Sequence, residues 1–316
     1  MNIEAVLGLW QDRPAAEATS TAKIADELGL ARIWIGEMAT YDAFALAVSV
    51  ASGTDRIEPV VGPLAVSVRS PVGIAMGVAS ISSLTGRRAH LALGTSSPVV
   101  VERWHGRSRE GSAAALRSTA HAVRTLLAGD REPSSGFRLR LPPVFSDIAI
   151  AAFGSRAVSA AAAHADVMLL NMVTPAAVAQ FRSQLDAAGG SHVPIAAWLV
   201  GAVEPTPEEI AQIHGALVGY LGAPGYGEMF ADAGFGDLVG LARSGAHPRE
   251  ILGAIPDDLA PAVGLVGSET RIGELLEQYE EAGLDTACVV PVTGRGDLGR
   301  TALETVSSLS GASAAG

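Results

Sequence analysis

The sequence predicts an α/β protein, and within that class a (β/α)8 TIM barrel with insertions at its C-terminal mouth. Three observations lead there. Short apolar runs alternate with longer helical stretches along the whole chain. Eight such pairs can be read with no division into two halves, which favours a barrel over a doubly wound sheet. The runs carry Val, Ile and Leu at successive positions, the pattern of parallel strands covered on both faces.

The strands are read at Ala5–Leu9, Arg32–Gly36, Ile57–Gly62, Ala89–Gly94, Ile148–Ala151, Val167–Asn171, Ile195–Val200 and Thr286–Pro291. The helices between them are read at Ala15–Leu28, Ala43–Thr54, Val72–Leu84, Ala113–Leu127, Ser155–His164, Pro175–Ala188, Pro207–Leu221 and Glu269–Ala282. Punctuation supports these limits. Gly29 and Gly283 can take the left-handed conformation that ends a helix. Ser70-Pro71 and Thr174-Pro175 place a capping hydroxyl before a first-turn proline.

One domain is expected over residues 1–306. Residues 131–146, with three prolines and a short alternating run at Phe137–Leu141, read as a hairpin insertion. Residues 222–266, rich in glycine and proline, are too long for an ordinary barrel connection and read as a capping insertion. Residues 307–316 are small and polar and read as a flexible tail.

Composition narrows the function. With 48% apolar residues the chain can bury a large core, and its 5% aromatic content suits closely packed helices on a sheet. The net charge of −11 and the lack of a basic stripe exclude a nucleic-acid partner. No uninterrupted apolar stretch reaches membrane-spanning length and the start lacks a signal-peptide pattern, so a cytoplasmic location is expected. Cys288 stands alone in an apolar run and reads as a small buried hydrophobe, leaving no disulfide and no thiolate metal cluster. A Gly-x-Gly-x-x-Gly after the first strand, a Walker loop, a His-Glu-x-x-His and a Gly-x-Ser-x-Gly elbow are all missing.

In a barrel, ligands bind where strands end. Glu37, Tyr41 and Asp42 follow the second strand. Asp42 reads equally as the cap of the next helix, whereas a glutamate at a strand end is costly to bury without a partner. Gly62-Pro63-Leu64-Ala65 after the third strand suggests a bend. Gly94-Thr95-Ser96-Ser97 after the fourth offers close backbone approach and several hydrogen-bond donors, or a plain capping cluster. Trp104 and His105 follow, each open to a packing role or a site role. Phe153-Gly154-Ser155-Arg156 opens the helix after the fifth strand. Helix-start amides and a fixed positive charge make an anion site there, and an arginine in a first turn otherwise opposes the helix dipole. Asn171 and Thr174 after the sixth strand could bond a ligand, although Thr174 also reads as an ordinary cap.

Three stretches resemble the luciferase-like monooxygenase superfamily, and within it the deazaflavin (coenzyme F420)-dependent oxidoreductases. They are Ser70-Pro71 through Leu84-Thr85-Gly86-Arg87 to Gly94-Thr95-Ser96-Ser97-Pro98; Trp104-His105-Gly106 with Leu126-Leu127-Ala128-Gly129-Asp130; and Ala152-Phe153-Gly154-Ser155-Arg156 through Asp166 to Asn171. The resemblance covers nearly the whole chain. It implies a cofactor in the barrel mouth, F420 with FMN as the alternative, and a homodimer. It also implies an unusual peptide at Gly62–Ala65 behind the tricyclic ring, Gly94, Thr95, Ser96 and Ser97 along the ring, and Phe153, Gly154, Ser155 and Arg156 on the phosphate. Two positions depart from relatives: Met38 stands where many carry histidine, and Ser97 where the sugar-phosphate dehydrogenases of the group carry glutamate. The acid/base candidates left are Glu37, Tyr41 and His105. The expected activity is hydride transfer between reduced deazaflavin and a small unsaturated or carbonyl/alcohol substrate. The alternatives are an FMN-dependent monooxygenase and a non-catalytic flavin-binding protein on the same fold.

Overall fold

The computed structural model describes residues 1–8, 10, 14, 16–37 and 39–313. Leu9, Ala15 and Met38, on which parts of the sequence reading fall, lie outside the described residues. The architecture is the (β/α)8 barrel, and among the described residues the pairings β1–β2, β2–β3, β3–β4, β4–β5, β5–β6, β7–β8 and β7–β9 are all parallel. By contacts the chain divides into two compact units, Glu4–Leu169 with Gln184–Ile195, and Met1–Ile3 with Leu170–Ser183 and Ala196–Gly316.

The first unit holds the strands in chain order: β1 (Asn2–Val6), β2 (Arg32–Ile35), β3 (Glu58–Ala65), β4 (His90–Gly94), β5 (Ile148–Ala151) and β6 (Val167–Asn171). The helices α1 (Glu17–Glu27), α2 (Ala43–Ser52), α3 (Pro71–Thr85), α4 (Ser112–Leu127) and α5 (Ser155–His164) lie between them. The strands are buried as their composition requires: Leu91, Ala92 and Leu93 of β4 have no exposed surface. Each large aliphatic side chain removed from water in this way contributes ~1.5–3 kcal/mol. Caps fall where the sequence places them. Ser70 Oγ accepts from the Gly73 amide at 3.1 Å, and Gly29 and Gly283 have φ of 77° and 90°.

The strand starts carry a polar network. Trp34 Nε1 donates to Glu4 at 2.6 Å, Arg32 donates to Asp147 at 2.5 Å, and His90 Nε2 donates to Glu58 at 2.8 Å. His90 Nδ1 accepts the Asp147 amide at 3.1 Å, which fixes the neutral tautomer. Burial lowers the His90 pKa, in the same direction.

The second unit contains α6 (Pro175–Ala187), β7 (Ile195–Val203), α7 (Pro207–Leu221), four short helices α8 (Tyr226–Phe230), α9 (Gly236–Arg243), α10 (Pro248–Ala254) and α11 (Leu259–Ala262), β8 (Gly264–Gly267), α12 (Glu269–Glu281), β9 (Thr286–Pro291) and α13 (Arg300–Ser313). The end of β6 reaches β7 through the Met172 amide, which donates to the Trp198 carbonyl at 3.0 Å. β9 pairs with residues 196–201 of β7 and β8 with 200–203. Because both engage residues 200 and 201, they occupy opposite edges of β7. β8 therefore continues along the edge that β6 uses.

Two expectations are corrected, and the make-up of the 222–266 segment is defined. Residues 131–146 form no hairpin: no strand lies there, and the segment wraps around Glu132. That carboxylate accepts from the Ser134 and Ser135 amides and from both hydroxyls at 2.6–3.0 Å. The span 222–266 is a run of short helices that also supplies most of β8. The tail is helical through Ser313, tied by the buried Leu303 and Val306 and by Ser310 Oγ donating to the Met1 carbonyl at 2.8 Å.

Glu132 makes the loop sensitive to acid. The Ser135 hydroxyl, then the Ser134 amide and hydroxyl, pull its pKa down to about 2. A lowered carboxyl contributes stability above its unfolded value, and that stability is lost as pH falls through the folded value. Amide exchange in residues 133–137 is therefore expected to accelerate, relative to the core, between pH ~4 and pH ~2, and Glu132→Gln should abolish that step.

Candidate functional site

The end of β3 is bent. Its register against β4 shifts between Val61 and Leu64, the Gly62–Pro63 peptide is cis, and Gly62 has φ of 116°. A Cβ at Gly62 would lie 2.2 Å from the Ala92 carbonyl oxygen, so only glycine fits. The bend turns Pro63 and Ala65 into a cleft while Leu64 is fully buried. Gly94 ends β4 beside it: a Cβ there would sit 3.3 Å from Pro63 Cβ and 3.4 Å from Ala151 Cβ. The ends of β3, β4 and β5 thus meet closely around a glycine.

The loop after β2 meets the turn after β3. Arg69 donates through Nε to Glu37 Oε2 at 2.9 Å, through Nη2 to Glu37 Oε1, and through Nη2 to Asp42. Its guanidinium lies 5.1 Å over the Phe44 ring. Asp42 also caps α2, accepting the Phe44 and Ala45 amides at 3.0 Å each. Burial pushes the Asp42 carboxyl up, but Arg69 and these amides outweigh it and the net shift is downward. The Arg69 pKa is raised, chiefly by Glu37. The sequence reading missed Arg69. The signal was two acids five residues apart needing a countercharge, with a lone arginine directly after the next strand.

After β4 the chain passes through Thr95 and Ser96 (φ 56°) into one wide helical turn, Val99–Trp104. The Val100 amide donates to Ser97 Oγ at 3.3 Å, so Ser97 serves as the cap of that turn. The turn delivers Val100, Trp104 and His105 to the cleft, which is lined by Glu37, Pro63, Ala65, Val68, Ser96, Val100, Trp104 and His105. It takes in about 340 Å3, part of it open to solvent. Tyr41 is 37% exposed and outside that lining.

β5 leads to Phe153 and Gly154 (φ 110°), and then to α5, whose first turn carries Ser155 and Arg156. β4 and β5 are adjacent and parallel, with Leu93 opposite Ile150, so their end loops lie side by side. Gly154 supplies no capping side chain, and Gly154, Ser155 and Arg156 are all exposed. The helix start therefore presents amides and a guanidinium to solvent, the donor set that a phosphate monoester accepts.

In the second unit, Asn171 ends β6 and its Nδ2 donates to the Tyr226 hydroxyl at 3.2 Å. Tyr220 packs edge-on against Tyr226 at 4.9 Å, and burial raises the pKa of both phenols. Thr174 caps α6, accepting the Ala177 amide at 3.1 Å. Among the described residues no group of His, Cys, Asp and Glu could hold a metal ion, and no helix is long and apolar enough to cross a membrane.

The family model described as luciferase-like monooxygenase matches residues 5–286. The chain belongs to that family. Among luciferase-like relatives, a Mycobacterium tuberculosis protein named as a coenzyme F420-dependent oxidoreductase is 25% identical over 324 aligned residues, covering 90% of this chain and 93% of its own. The coenzyme F420 dependent tetrahydromethanopterin reductase of Methanopyrus kandleri superposes with a TM-score of 0.73 over 97% of each chain, at 18% identity. The oxygenating constituent of 3,6-diketocamphane monooxygenase of Pseudomonas putida, solved with FMN, superposes with a TM-score of 0.68, covering 97% of this chain and 96% of its own, at 17% identity. These two likenesses establish the luciferase-like fold.

Proposed function

We propose that this member of the luciferase-like family is a deazaflavin (coenzyme F420)-dependent oxidoreductase acting on a small, neutral unsaturated or carbonyl/alcohol compound. The observation that carries the reading is the pairing of a glycine-lined bend at the β3 and β4 ends with an exposed, cation-bearing helix start after β5. A tricyclic ring needs the first and its phosphate the second. The M. tuberculosis relative named for coenzyme F420 supports the choice of cofactor.

In this reading Gly62, Pro63, Leu64 and Ala65 back the ring through the bend. Gly94, Thr95, Ser96 and Ser97 line it, and Phe153, Gly154, Ser155 and Arg156 hold the phosphate. When bound, the reduced cofactor supplies a hydride, and carbon at the reactive ring position disfavours oxygen activation. The chain's own part is orientation and proton handling, for which Glu37, Tyr41 and His105 are the candidates. Val68, Val100 and Trp104 offer an apolar wall suited to an uncharged substrate. The reading includes a cytoplasmic homodimer, which sedimentation of the purified protein tests. An FMN-dependent monooxygenase is the second reading, favoured by the fold shared with the FMN-bound P. putida protein.

Absorbance titration with deazaflavin and with FMN decides between them. Micromolar binding of FMN with none of deazaflavin overturns the first. Arg156→Ala is expected to weaken cofactor binding roughly 10- to 100-fold, the worth of one charge-assisted hydrogen bond. Unchanged affinity would remove Arg156 from the phosphate site.

A further inference from the structure

We propose that His105 is the residue that delivers the proton to the acceptor, and that Arg69 withholds Glu37 from that role. The inference rests on the oxidoreductase reading and chooses among its three candidates.

Glu37 and His105 line the same cleft, and Tyr41 does not. Glu37 accepts from the Arg69 guanidinium with both carboxylate oxygens. A carboxylate whose two oxygens each face an N–H is an acceptor on both sides and has no proton to donate. The grip is rigid, because the same guanidinium also holds Asp42 and stacks on Phe44. Arg69 is thus a positioning residue: it fixes a negative wall in the cleft and leaves the proton to another group.

His105 has what Glu37 lacks. Its backbone is anchored by its amide donating to the Val100 carbonyl at 3.2 Å. Its ring lies at the cleft and is open to water. Neither ring nitrogen is hydrogen-bonded among the described residues, so either one is available to a ligand in the cleft. The charged groups around it are Glu37 with its Arg69 across the cleft, and Glu102, Arg103 and Arg107 on its own segment.

Reduction of a C=C or C=O bond adds a hydride and a proton. The bound reduced deazaflavin would supply the hydride and would thereby lose two electrons. The proton comes from the His105 imidazolium: its N–H bond breaks as the acceptor's new C–H or O–H bond forms, and water then reprotonates the neutral ring.

Two measurements test this. Diethyl pyrocarbonate applied to the cofactor-free protein, with peptides mapped by mass, is expected to label His105, and saturating deazaflavin is expected to slow that labelling. Labelling that bound cofactor leaves unchanged would take His105 out of the site, with no substrate required. His105→Ala is expected to lower the rate of deazaflavin oxidation by cyclohex-2-en-1-one ~10²- to 10⁴-fold while cofactor affinity is retained, and free imidazole is expected to restore part of the rate. A His105→Ala variant with the wild-type rate, or one that imidazole leaves inert while Glu37→Gln loses as much, overturns the assignment. Failure of the wild-type protein to bind either cofactor would instead overturn the oxidoreductase reading.

Discussion

Arg295→Ala is expected to destabilise the protein by ~3 kcal/mol, the lower end of the cost of removing the countercharge from a buried carboxylate. The partner is Glu209 on α7, whose side chain is only 1% exposed. Arg295 grips it with Nε and Nη2 at 3.0 Å each, and the same Nη2 donates to the Val203 and Glu204 carbonyls at 2.8 and 2.9 Å. One guanidinium therefore ties the loop after β9 to the end of β7 and the start of α7. The dependence on pH separates this cause from lost packing. Burial pushes the Glu209 carboxyl up, but Arg295 and the Thr206 amide outweigh it and the net shift is downward. In the native protein the pair's contribution is present above the unfolded carboxyl value and falls away in acid. Without Arg295 only the Thr206 amide and hydroxyl oppose burial, so the Glu209 carboxyl moves up from its native value and protonation relieves part of the strain. The deficit measured by denaturant unfolding at pH 7 should shrink at pH 5. A deficit that is the same at both values would mean that charge is not the cause.

The second large effect is expected at Gly62. In Gly62→Ala the new methyl would lie 2.2 Å from the Ala92 carbonyl oxygen and 2.6 Å from the Leu64 amide nitrogen. Both neighbours are backbone, so neither can swing aside. The positive φ of 116° adds strain of its own. Overpacking and strain each cost ~1–3 kcal/mol, and together they should move the β3 end bodily. The expected result is a lower unfolding midpoint and the loss of deazaflavin binding in the same absorbance titration. Gly136, also at positive φ but with open space where a Cβ would go, is the matched control: alanine there should cost about 1 kcal/mol and leave binding intact. A Gly62→Ala protein that binds as tightly as the native one would show that the bend does not shape the cofactor site.

The barrel was legible in the sequence because parallel strands leave a plain record. Apolar runs such as Ile148–Ala151 mark strands covered on both faces, and each of the eight strands read from such runs overlaps a strand of the structure. Caps were legible for the same reason, being local chemistry. The misreadings have physical causes. Phe137–Leu141 alternates as a strand should, but Arg138 within it donates to the Gly129 carbonyl, and Arg131 of the preceding turn donates to the Gly136 carbonyl. Period-two patterning without a partner strand does not make a strand. β8 is four residues bracketed by glycines, too short to show a period, and it forms because β7 offers it an edge. The wide turn at Val99–Trp104 follows Pro98 and ends at His105, and nothing in its composition separates it from a loop. Arg69 could not be assigned from the sequence because its role depends on β2 and β3 being neighbours, which places the turn after one beside the loop after the other.

The placement of β8 bears on how far residues 222–266 can be treated as a detachable ornament. β7 runs past the point at which the Met172 amide meets Trp198, and beyond it residues 200–203 pair on that side with the short strand that closes the insertion. Excising it would leave donors and acceptors in register along an open margin, a template on which a second polypeptide could add itself. The insertion therefore shields this margin of β7 from strand addition.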